Sequence, residues 1–367
     1  MPQRISEFSR RRIQEKMESE RVRQTLKTLR QILEFKQTPM ELKAKLDQFL
    51  IGQEDGKKIM ATAIAFHYRR LGQELQQALD GEGGDLDAAL RRVRPPKANI
   101  LIIGPTGCGK TYTSETASSL VGVPFVVEDM TKFSETGYVG RSTSDILADL
   151  LIAADGNADV AQMGIVYLDE IDKIASQTVV QRDVSGQGVQ KGLLRLVEGV
   201  ENTVELGQER YSLSTRHVLF IAGGVFDNLE QKVKTRMARS QLAGPWQDYL
   251  LTDDLVAFGM ERQLMGRFPV RVVYHPLTAD HLKDILLKSA DSPLAAFASD
   301  LKAWDIDLQV TDEALDDIAR RAVREKTGAR GLIGILHRAL LDDLYSLPGA
   351  HRGELRVDRD YVRGKLG

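Results

Sequence analysis

The sequence lacks the features of membrane-spanning, secreted and disulfide-rich proteins. Its 367 residues include one cysteine, Cys108, which excludes an internal disulfide bond and a cysteine-built zinc site. No run approaches the roughly 18 apolar residues that a membrane span needs, and the N-terminus has no apolar core like that of a secretory signal. The formal net charge is -2, so the chain as a whole is not built to coat nucleic acid or an anionic membrane. We therefore predict a cytoplasmic protein with no membrane partner.

The composition is that of an ordinary globular protein with more than one domain. Hydrophobic residues make up 42% of the chain and charged residues 28%. A length of 367 residues allows two or three domains, of which at least one can bury a large core. The sequence contains no internal repeat.

The first 46 residues contain no glycine and are rich in Arg, Lys, Glu, Gln and Leu, which predicts an N-terminal helical segment. Ten Lys or Arg stand against five Glu between residues 1 and 36, so the segment is locally basic. We interpret it as a solvated helix that packs on the rest of the protein. A basic arm for a partner or for nucleic acid is the alternative.

Short apolar runs bounded by turn signals alternate with helical patterns through the middle of the chain. Strands are predicted for Asn99–Ile103, Phe125–Val127, Gly164–Leu168 and His217–Ile221. The alternation predicts a large α/β domain over residues 47–275, a parallel sheet with helices on both faces. From residue 276 to residue 367 the pattern turns helical and predicts a second, smaller helical domain.

One glycine-rich stretch carries the strongest functional signal. Gly104–Thr111 reads Gly-Pro-Thr-Gly-Cys-Gly-Lys-Thr and fits the phosphate-loop pattern G-x-x-x-x-G-K-[ST]. Its glycines let successive backbone N–H groups point at phosphate oxygens, and the following helix adds its positive N-terminal end. Lys110 is predicted to neutralise the β- and γ-phosphates, and the Thr111 hydroxyl to bind Mg²⁺. The position between a predicted strand and a predicted helix favours a nucleotide site over a structural glycine turn.

An acidic pair, Asp169-Glu170, ends the apolar run Ile165–Leu168. Ligands of open α/β sheets bind at the carboxyl ends of the strands, which is where this pair is predicted to lie. We expect Asp169 to hold Mg²⁺ through water and Glu170 to polarise the attacking water as general base.

With these motifs in place, the sequence resembles the AAA+ core of the ClpX family of protein unfoldases from about residue 46 to residue 347. The HslU unfoldases share one of the matching stretches, but the others are closer to ClpX. The resemblance rests on the phosphate loop together with further stretches in family order, namely Leu46–Gln53, Gly137–Gly140, Leu168–Lys173, Arg182–Val189, Gly266–Pro269 and Thr327–Leu332.

The resemblance implies roles for residues outside the two nucleotide motifs. Ile51 and Gly52 are expected to line the adenine pocket. Arg267 is expected to be the arginine finger that reaches the γ-phosphate in a neighbouring subunit, and Arg330 to be the sensor-2 arginine. A guanidinium suits both positions because it is always charged and forks onto phosphate oxygens. The cofactors implied are ATP and Mg²⁺, with nucleotide contacts from Pro105, Thr106, Gly107, Cys108, Gly109, Lys110, Thr111 and Tyr112.

Two substrate-gripping loops are also implied. Gly137–Gly140 places Tyr138 and Val139 between two glycines, which is expected to be the first pore loop. Residues 179–189, with Arg182 and Val184, are expected to form a second pore loop. Because the arginine finger acts in a neighbouring subunit, the resemblance implies a homo-oligomeric ring, which is expected to be a hexamer.

The chain departs from the family pattern in several places. It has no cysteine-rich zinc-binding domain, and a short hairpin is predicted at residues 200–214 where the family carries an Arg-Lys-His loop. The peptidase-docking tripeptide Ile-Gly-Phe is missing, and its expected region offers only Leu242–Trp246. No polar residue at the end of the strand near residue 222 suits the sensor-1 role, which stays unassigned.

We therefore expect an ATP-dependent unfoldase or remodelling motor that threads a protein substrate through a homo-oligomeric ring, without the usual ClpP-type peptidase. One alternative is a peptidase-coupled unfoldase with an altered docking loop. Another is a DNA-associated AAA+ motor whose basic N-terminal arm binds nucleic acid. The intact Tyr138 motif favours a polypeptide.

Overall fold

A computed structural model describes residues 22–23, 25–81, 86–93, 96–134, 141–175, 184–207 and 209–367. The chain forms a large α/β domain on a five-stranded parallel sheet, followed by a small, mostly helical domain. Within these described ranges, no helix is both long enough and apolar enough to cross a bilayer.

The elements of the large domain and of the segment before it are, in chain order, α1 (25–33), α2 (Pro39–Leu46), α3 (Glu54–Gly81), α4 (Leu86–Arg92), β1 (Ile100–Ile103), α5 (Lys110–Val121), β2 (Phe125–Asp129), α6 (Asp145–Ala153), α7 (Ala158–Ala161), β3 (Ile165–Asp169), α8 (Val184–Glu198), β4 (Glu201–Leu206), β5 (Glu209–Ser214), β6 (Leu219–Gly224), α9 (Leu229–Arg239), α10 (Thr252–Phe258), α11 (Arg262–Gly266) and β7 (Val270–Val273). The small domain continues with α12 (Ala279–Lys288), α13 (Pro293–Lys302), β8 (Ile306–Val310), α14 (Asp312–Arg324), α15 (Ala329–Ser346), β9 (Gly353–Val357) and α16 (Arg359–Leu366).

The sheet of the large domain has the strand order β2-β3-β6-β1-β7, and every pairing is parallel. Only β6 separates β1 from β3, so the loop after β1 and the acidic end of β3 lie at the same edge of the sheet. This is the edge where open α/β sheets bind their ligands. The predicted fold class, an AAA+-type α/β domain with a helical partner domain, is confirmed.

Apolar side chains on both faces of the sheet bury it between two layers of helices. In β1, Leu101 and Ile103 join the core on one face, while Ile100 and Ile102 join the core on the other. All four are buried, as expected for a central parallel strand that alternates its side chains between two covered faces.

The described part of the N-terminal segment packs on the large domain. Ile32, Phe35 and Leu42 are buried in the same core as the inner face of α3. A Cβ atom on Gly72 of α3 would lie 2.2 Å from the carbonyl oxygen of Ile32, so glycine allows α1 to approach the α3 backbone closely. Residues 25–46 therefore form two helices that pack on the large domain, with a non-helical link at 35–38.

The small domain is organised around the amphipathic helix α14. Its buried residues, Ala314, Leu315, Ile318, Ala319 and Ala322, form one stripe at helical spacing. The Thr311 hydroxyl caps the helix by accepting a hydrogen bond from the backbone N–H of Ala314, which favours helix initiation at this point.

The four predicted strands exist, with boundaries that shift by up to three residues, while residues 1–21 of the predicted N-terminal helix lie outside the described residues. The hairpin predicted at residues 200–214 is confirmed as the antiparallel pair β4 and β5. Neither β7 nor the parallel pair β8 and β9 inside the helical domain was predicted from the sequence. These strands have four or five residues each, and their partners are distant in sequence, so no local pattern marks the pairing.

Candidate nucleotide site

The phosphate loop lies between the carboxyl end of β1 and the first turn of α5. Gly107 and Gly109 have φ angles of 75° and 97°, in the left-handed region that favours glycine. Gly109 is the N-cap of α5 and supplies no side chain to satisfy the first N–H groups of the helix. These N–H groups and the helix N-terminus form a site suited to phosphate oxygens.

The ammonium group of Lys110 lies within this loop. It donates hydrogen bonds to the carbonyl oxygens of Gly104, at 2.6 Å, and Pro105, at 2.9 Å. Lys110 is only 8% exposed, so its charge is held next to the loop N–H groups rather than in bulk water. This position suits a cation that neutralises phosphate charge.

The two residues predicted to hold Mg²⁺ contact each other. The Thr111 hydroxyl donates to Asp169 Oδ2 at 3.3 Å, across the gap between α5 and the end of β3. Both are hard oxygen donors of the kind that Mg²⁺ prefers, and Mg²⁺ usually keeps waters and phosphate oxygens as its remaining ligands. Among the described residues, no group of three or more His, Cys, Asp or Glu forms a dedicated metal cluster. The Thr111 hydroxyl and the Asp169 carboxylate fit a Mg²⁺ that takes its remaining ligands from water and a nucleotide.

Glu170 follows Asp169 in an unusual backbone conformation. Its φ angle is 55°, in the left-handed region, and its N–H donates to Asp169 Oδ1 at 3.0 Å. A non-glycine residue rarely adopts this conformation, and such strain often marks functional sites. The turn exposes the Glu170 side chain at the cavity, separate from the carboxylate of Asp169.

A cavity of about 590 Å³ joins the phosphate loop, the end of β3, the end of β6 and the start of α15. Its lining includes most of the predicted site residues, namely Thr106, Gly107, Gly109, Lys110, Thr111, Tyr112, Asp169, Glu170 and Arg330. Pro105 and Cys108 belong to the loop but do not line this cavity. Cys108 is buried, and burial raises the pKa of its thiol.

The small domain reaches the phosphate loop directly. The backbone N–H of Ala329 donates to the carbonyl oxygen of Gly107 at 3.1 Å, and Ala329 is the first residue of α15. Arg330 is the next residue and lines the cavity. The N-terminal turn of a second helix therefore faces the phosphate loop, and the sensor-2 role of Arg330 stays a prediction.

Ile51 and Gly52 lie outside the 590 Å³ cavity, in the loop between α2 and α3. The neighbouring Gln53 donates to the carbonyl oxygens of Cys108, at 3.3 Å, and His275, at 2.7 Å, so this loop is tied to the phosphate loop. A Cβ on Gly52 would lie 3.3 Å from the His281 ring of the small domain. The predicted adenine contacts thus sit where the two domains meet, and their role stays a prediction.

Three charged residues near the end of β6 were not predicted from the sequence as part of the site. Asp172 is 5% exposed, and its carboxylate accepts the backbone N–H groups of Val225, at 3.2 Å, and Phe226, at 3.3 Å. It therefore ties the loop after β6 to the turn after β3. Lys173 and Asp227 line the cavity and lie 3.8 Å apart. Asp172 and Lys173 belong to the stretch Leu168–Lys173, whose resemblance to the family could have marked them. No sequence pattern indicated Asp227.

Arg267 lies away from this cavity, at the opposite end of the sheet. The side-chain amide of Asn99, which precedes β1, donates to the carbonyl oxygen of Arg267 at 2.9 Å. The phosphate loop follows the other end of β1, about 17 Å along the strand at 3.3 Å per residue. The structure therefore does not bring Arg267 to the phosphate loop of its own chain.

The predicted pore loops fall largely outside the described residues. Tyr138, Val139 and Arg182 lie outside them, and residue 184 begins α8, so the described part of the second predicted loop is helical.

The described residue that follows the first loop is Arg141, which pairs with Glu128 at 2.9 Å and Asp149 at 2.5 Å. Burial raises the pKa of Glu128 to about 7.

Comparisons with known proteins agree with this arrangement. A family model described as AAA domain (Cdc48 subfamily) matches residues 95–271, and one described as C-terminal, D2-small domain, of ClpB protein matches residues 277–358. The ATP-dependent Clp protease ATP-binding subunit ClpX 3 of Methylococcus capsulatus is 38% identical over 357 residues, covering 89% of this chain and 80% of the relative. The subunit ClpX of Porphyromonas gingivalis is 34% identical over 351 residues, covering 89% of this chain and 82% of the relative. That of Bacteroides thetaiotaomicron is 35% identical over 350 residues, with 89% and 81% covered.

Proposed function

The chain belongs to the ClpX family of AAA+ ATPases, and we propose that it is an ATP-dependent protein unfoldase or remodelling motor that threads polypeptide through the pore of a homo-oligomeric ring, a hexamer. The proposed division is an N-terminal segment to residue 46, an ATPase domain to residue 275 and a small domain to residue 367. The proposed gripping residues are Tyr138 and Val139, with Arg182 and Val184 in the second loop.

The proposed ATPase chemistry assigns one task to each cavity residue. Lys110 and the loop N–H groups hold the phosphates, and Thr111 and Asp169 hold Mg²⁺. Bound Mg²⁺ would neutralise charge that develops on the phosphate oxygens. Glu170 takes a proton from the attacking water, and Arg330 brings a positive charge from the small domain. The contact between Thr111 and Asp169 supports this set, because it joins the two Mg²⁺ donors across the cavity.

The position of Arg267 is the observation that supports assembly into a ring. Its backbone is anchored at the amino end of β1, and the phosphate loop follows the carboxyl end of the same strand. A guanidinium at that end serves catalysis only when it meets the nucleotide of another copy of the chain. Hydrolysis would then depend on assembly, which links ATP turnover to ring formation.

The region that would carry a peptidase-docking tip supports a motor without the usual peptidase. Between α9 and α10, the N–H of Leu242 donates to Met237 O at 3.0 Å, and the Tyr249 hydroxyl donates to Ala243 O at 2.9 Å. Arg236 binds both carboxylate oxygens of Asp254 at 2.8 Å. Trp246 is half-buried against the core of the large domain. These contacts hold down the connection at residues 240–251. Leu242 is 40% exposed there, but it is followed by Ala-Gly-Pro rather than by the Gly-Phe of the family tripeptide.

A substrate trap tests the function. Glu170→Gln should hold ATP without turning it over, so tagged Glu170→Gln rings should retain protein clients from a lysate only when ATP is present. Lys110→Ala rings, which cannot hold the nucleotide, are the control. Retention of nucleic acid in place of protein would instead establish the DNA-associated alternative.

Peptidase coupling needs a separate measurement. The ATP-loaded Glu170→Gln ring should not co-sediment with a ClpP-type peptidase from the same cell. Co-sedimentation that disappears on Trp246→Ala, but not on the matched change Trp304→Ala in the small domain, would establish the peptidase-coupled alternative. Loss of a single buried interface anchor typically costs about 2 kcal/mol or more, and a ring multiplies that loss over its subunits.

A further inference from the structure

The guanidinium of Arg267 is held on one side by a carboxylate of its own chain. Arg267 Nη2 donates to Glu198 Oε1 at 2.7 Å, and the two side chains are 53% and 37% exposed. Glu198 is the last residue of α8, and Arg267 directly follows α11. Within the described part of the chain, the remaining donors of this guanidinium make no hydrogen bond, so they are available to an incoming group.

The backbone beneath this side chain is fixed from the core. Asn99, which directly precedes β1, is 1% exposed, and its side-chain amide contacts both β6 and the backbone of Arg267. Its Nδ2 donates to Arg267 O at 2.9 Å, while its Oδ1 accepts the N–H of Phe220 at 3.1 Å. The position of the Arg267 Cα is therefore set by buried contacts, whereas the direction of the side chain depends on Glu198.

The surrounding cleft is basic. A cavity of about 410 Å³ is lined by Lys97, Arg216 and Arg267, with Glu198 as the carboxylate among its lining residues. Lys97 donates to Val197 O at 3.0 Å, and Arg216 donates to Arg91 O at 2.6 Å. Backbone carbonyls hold these two side chains. Burial lowers the pKa of Lys97 to about 7, so the guanidinium groups of Arg216 and Arg267, which stay charged, carry most of the positive charge of the cleft. Such an excess of positive charge attracts an anion such as a triphosphate.

We propose that Glu198 is a positioning residue for the arginine finger: it binds one terminal nitrogen of Arg267 and leaves the rest of the guanidinium facing the γ-phosphate of the neighbouring subunit. This inference rests on the proposed function, because it needs Arg267 to act across a subunit interface. A supporting carboxylate that orients a charged side chain raises the fraction of time that the side chain spends in its productive direction.

The two residues should be coupled in steady-state kinetics. Glu198→Ala should lower kcat for ATP hydrolysis about fivefold at unchanged KM, since an exposed ion pair has a modest effect. Glu198→Gln keeps an acceptor oxygen and should recover part of that loss. On an Arg267→Ala background, Glu198→Ala should have no further effect, because there is no finger left to position. Effects that multiply in the double variant would overturn the proposal.

A matched control excludes a general effect of losing a surface carboxylate. Glu230 pairs with Lys234 at 2.6 Å on α9, and its side chain is 55% exposed. Glu230→Ala should leave kcat and KM unchanged. Thermal unfolding of the Glu198 variants should match that of Glu230→Ala; a large drop confined to Glu198→Ala would show a structural role instead.

Mixed rings test whether the defect acts in the neighbouring site. The turnover per Glu198→Ala subunit should rise when an excess of inactive Glu170→Gln subunits is added, because those subunits supply an intact Glu198–Arg267 pair. Turnover that stays constant, or a Glu198→Ala ring that is faster than wild type, would overturn the proposal. If Arg267→Ala itself hydrolyses ATP at the wild-type rate, the trans-acting finger of the proposed function fails as well. A slow Arg267→Ala beside a wild-type-like Glu198→Ala refutes the positioning role alone.

Discussion

The backbone N–H of Ala329 donates a hydrogen bond to the carbonyl oxygen of Gly107 at 3.1 Å, and so joins the small domain to the phosphate loop. The contact is close on both sides: a Cβ on Gly107 would lie 2.4 Å from Thr327 O, and a Cβ on Gly328 would lie 2.5 Å from Gly107 O. The two backbones therefore approach at a point where neither tolerates a side chain. This contact joins the small domain to the loop that is predicted to hold the phosphates.

Gly107→Ala should weaken nucleotide binding about tenfold or more. The residue has a φ angle of 75°, which alanine adopts at a cost of about 1 kcal/mol, and the added Cβ would collide with Thr327 O. Titration with a fluorescent ATP analogue measures the change. Gly334→Ala in α15 is the control, since nothing lies within 4 Å of its Cβ, and it should bind nucleotide normally. Equal affinities for the two variants would contradict the close approach.

Lys110→Ala and Glu170→Gln should fail at different steps. Lys110→Ala removes the cation that lies against the loop carbonyls, so ATP binding itself should be lost. Glu170→Gln keeps the Thr111–Asp169 pair and should bind MgATP, but should lose at least about a hundredfold in turnover because the general base is gone. Equilibrium binding and steady-state hydrolysis separate the two effects. Wild-type turnover by Glu170→Gln would refute the role assigned to that residue.

Arg267→Ala should bind ATP normally and hydrolyse it poorly. Because the residue lies away from the phosphate loop of its own chain, the defect should be complemented by a neighbour. Mixing Arg267→Ala with Glu170→Gln subunits, each nearly inactive alone, should restore part of the activity. Arg262→Ala is the control at the start of α11, the helix that Arg267 directly follows, and Arg262 pairs with Asp253 at 2.6 Å. Full activity of an isolated Arg267→Ala monomer would rule out action in trans.

The stability of the large domain should fall as the pH drops below about 6.5, because two histidines are buried in neutral form. Burial lowers the pKa of His67 to about 3 and that of His217 to about 4, and the ring of His67 donates to the carbonyl oxygen of His217. Unfolding lets each imidazole take up a proton below its ordinary pKa. Each therefore adds a slope of about 1.4 kcal/mol per pH unit between pH 6.5 and its folded pKa, with full stability above that window.

Urea unfolding at pH 6 and pH 5 measures this slope. In a Trp304→Phe background Trp246 is the one remaining tryptophan, so its fluorescence reports the unfolding of the large domain. His67→Gln should reduce the slope by about 1.4 kcal/mol per pH unit. The exposed His351 provides the matched change, and His351→Gln should leave the slope unaltered. Identical slopes in the two variants would show that His67 is protonated in the folded protein.

Local patterns in the sequence determined the phosphate loop, the acidic pair and the order of strands and helices. Gly104–Thr111 needs a particular backbone path, and Asp169-Glu170 ends a run that is apolar because the strand is buried on both faces. The β4–β5 hairpin was also predictable, since its strands are joined by a short turn. These features depend on residues within a few positions of one another, so their side-chain types and spacing are enough.

Tertiary structure alone decided which distant groups meet. Ala329 contacts Gly107, Asn99 holds the backbone of Arg267, and Asp172 ties down the loop after β6. Each contact joins segments that are far apart in the chain, so it depends on how the domains and strands pack. The Glu198–Arg267 pair has the same origin, since surface charges carry no sequence signal for their partner until the helices that bear them are placed side by side.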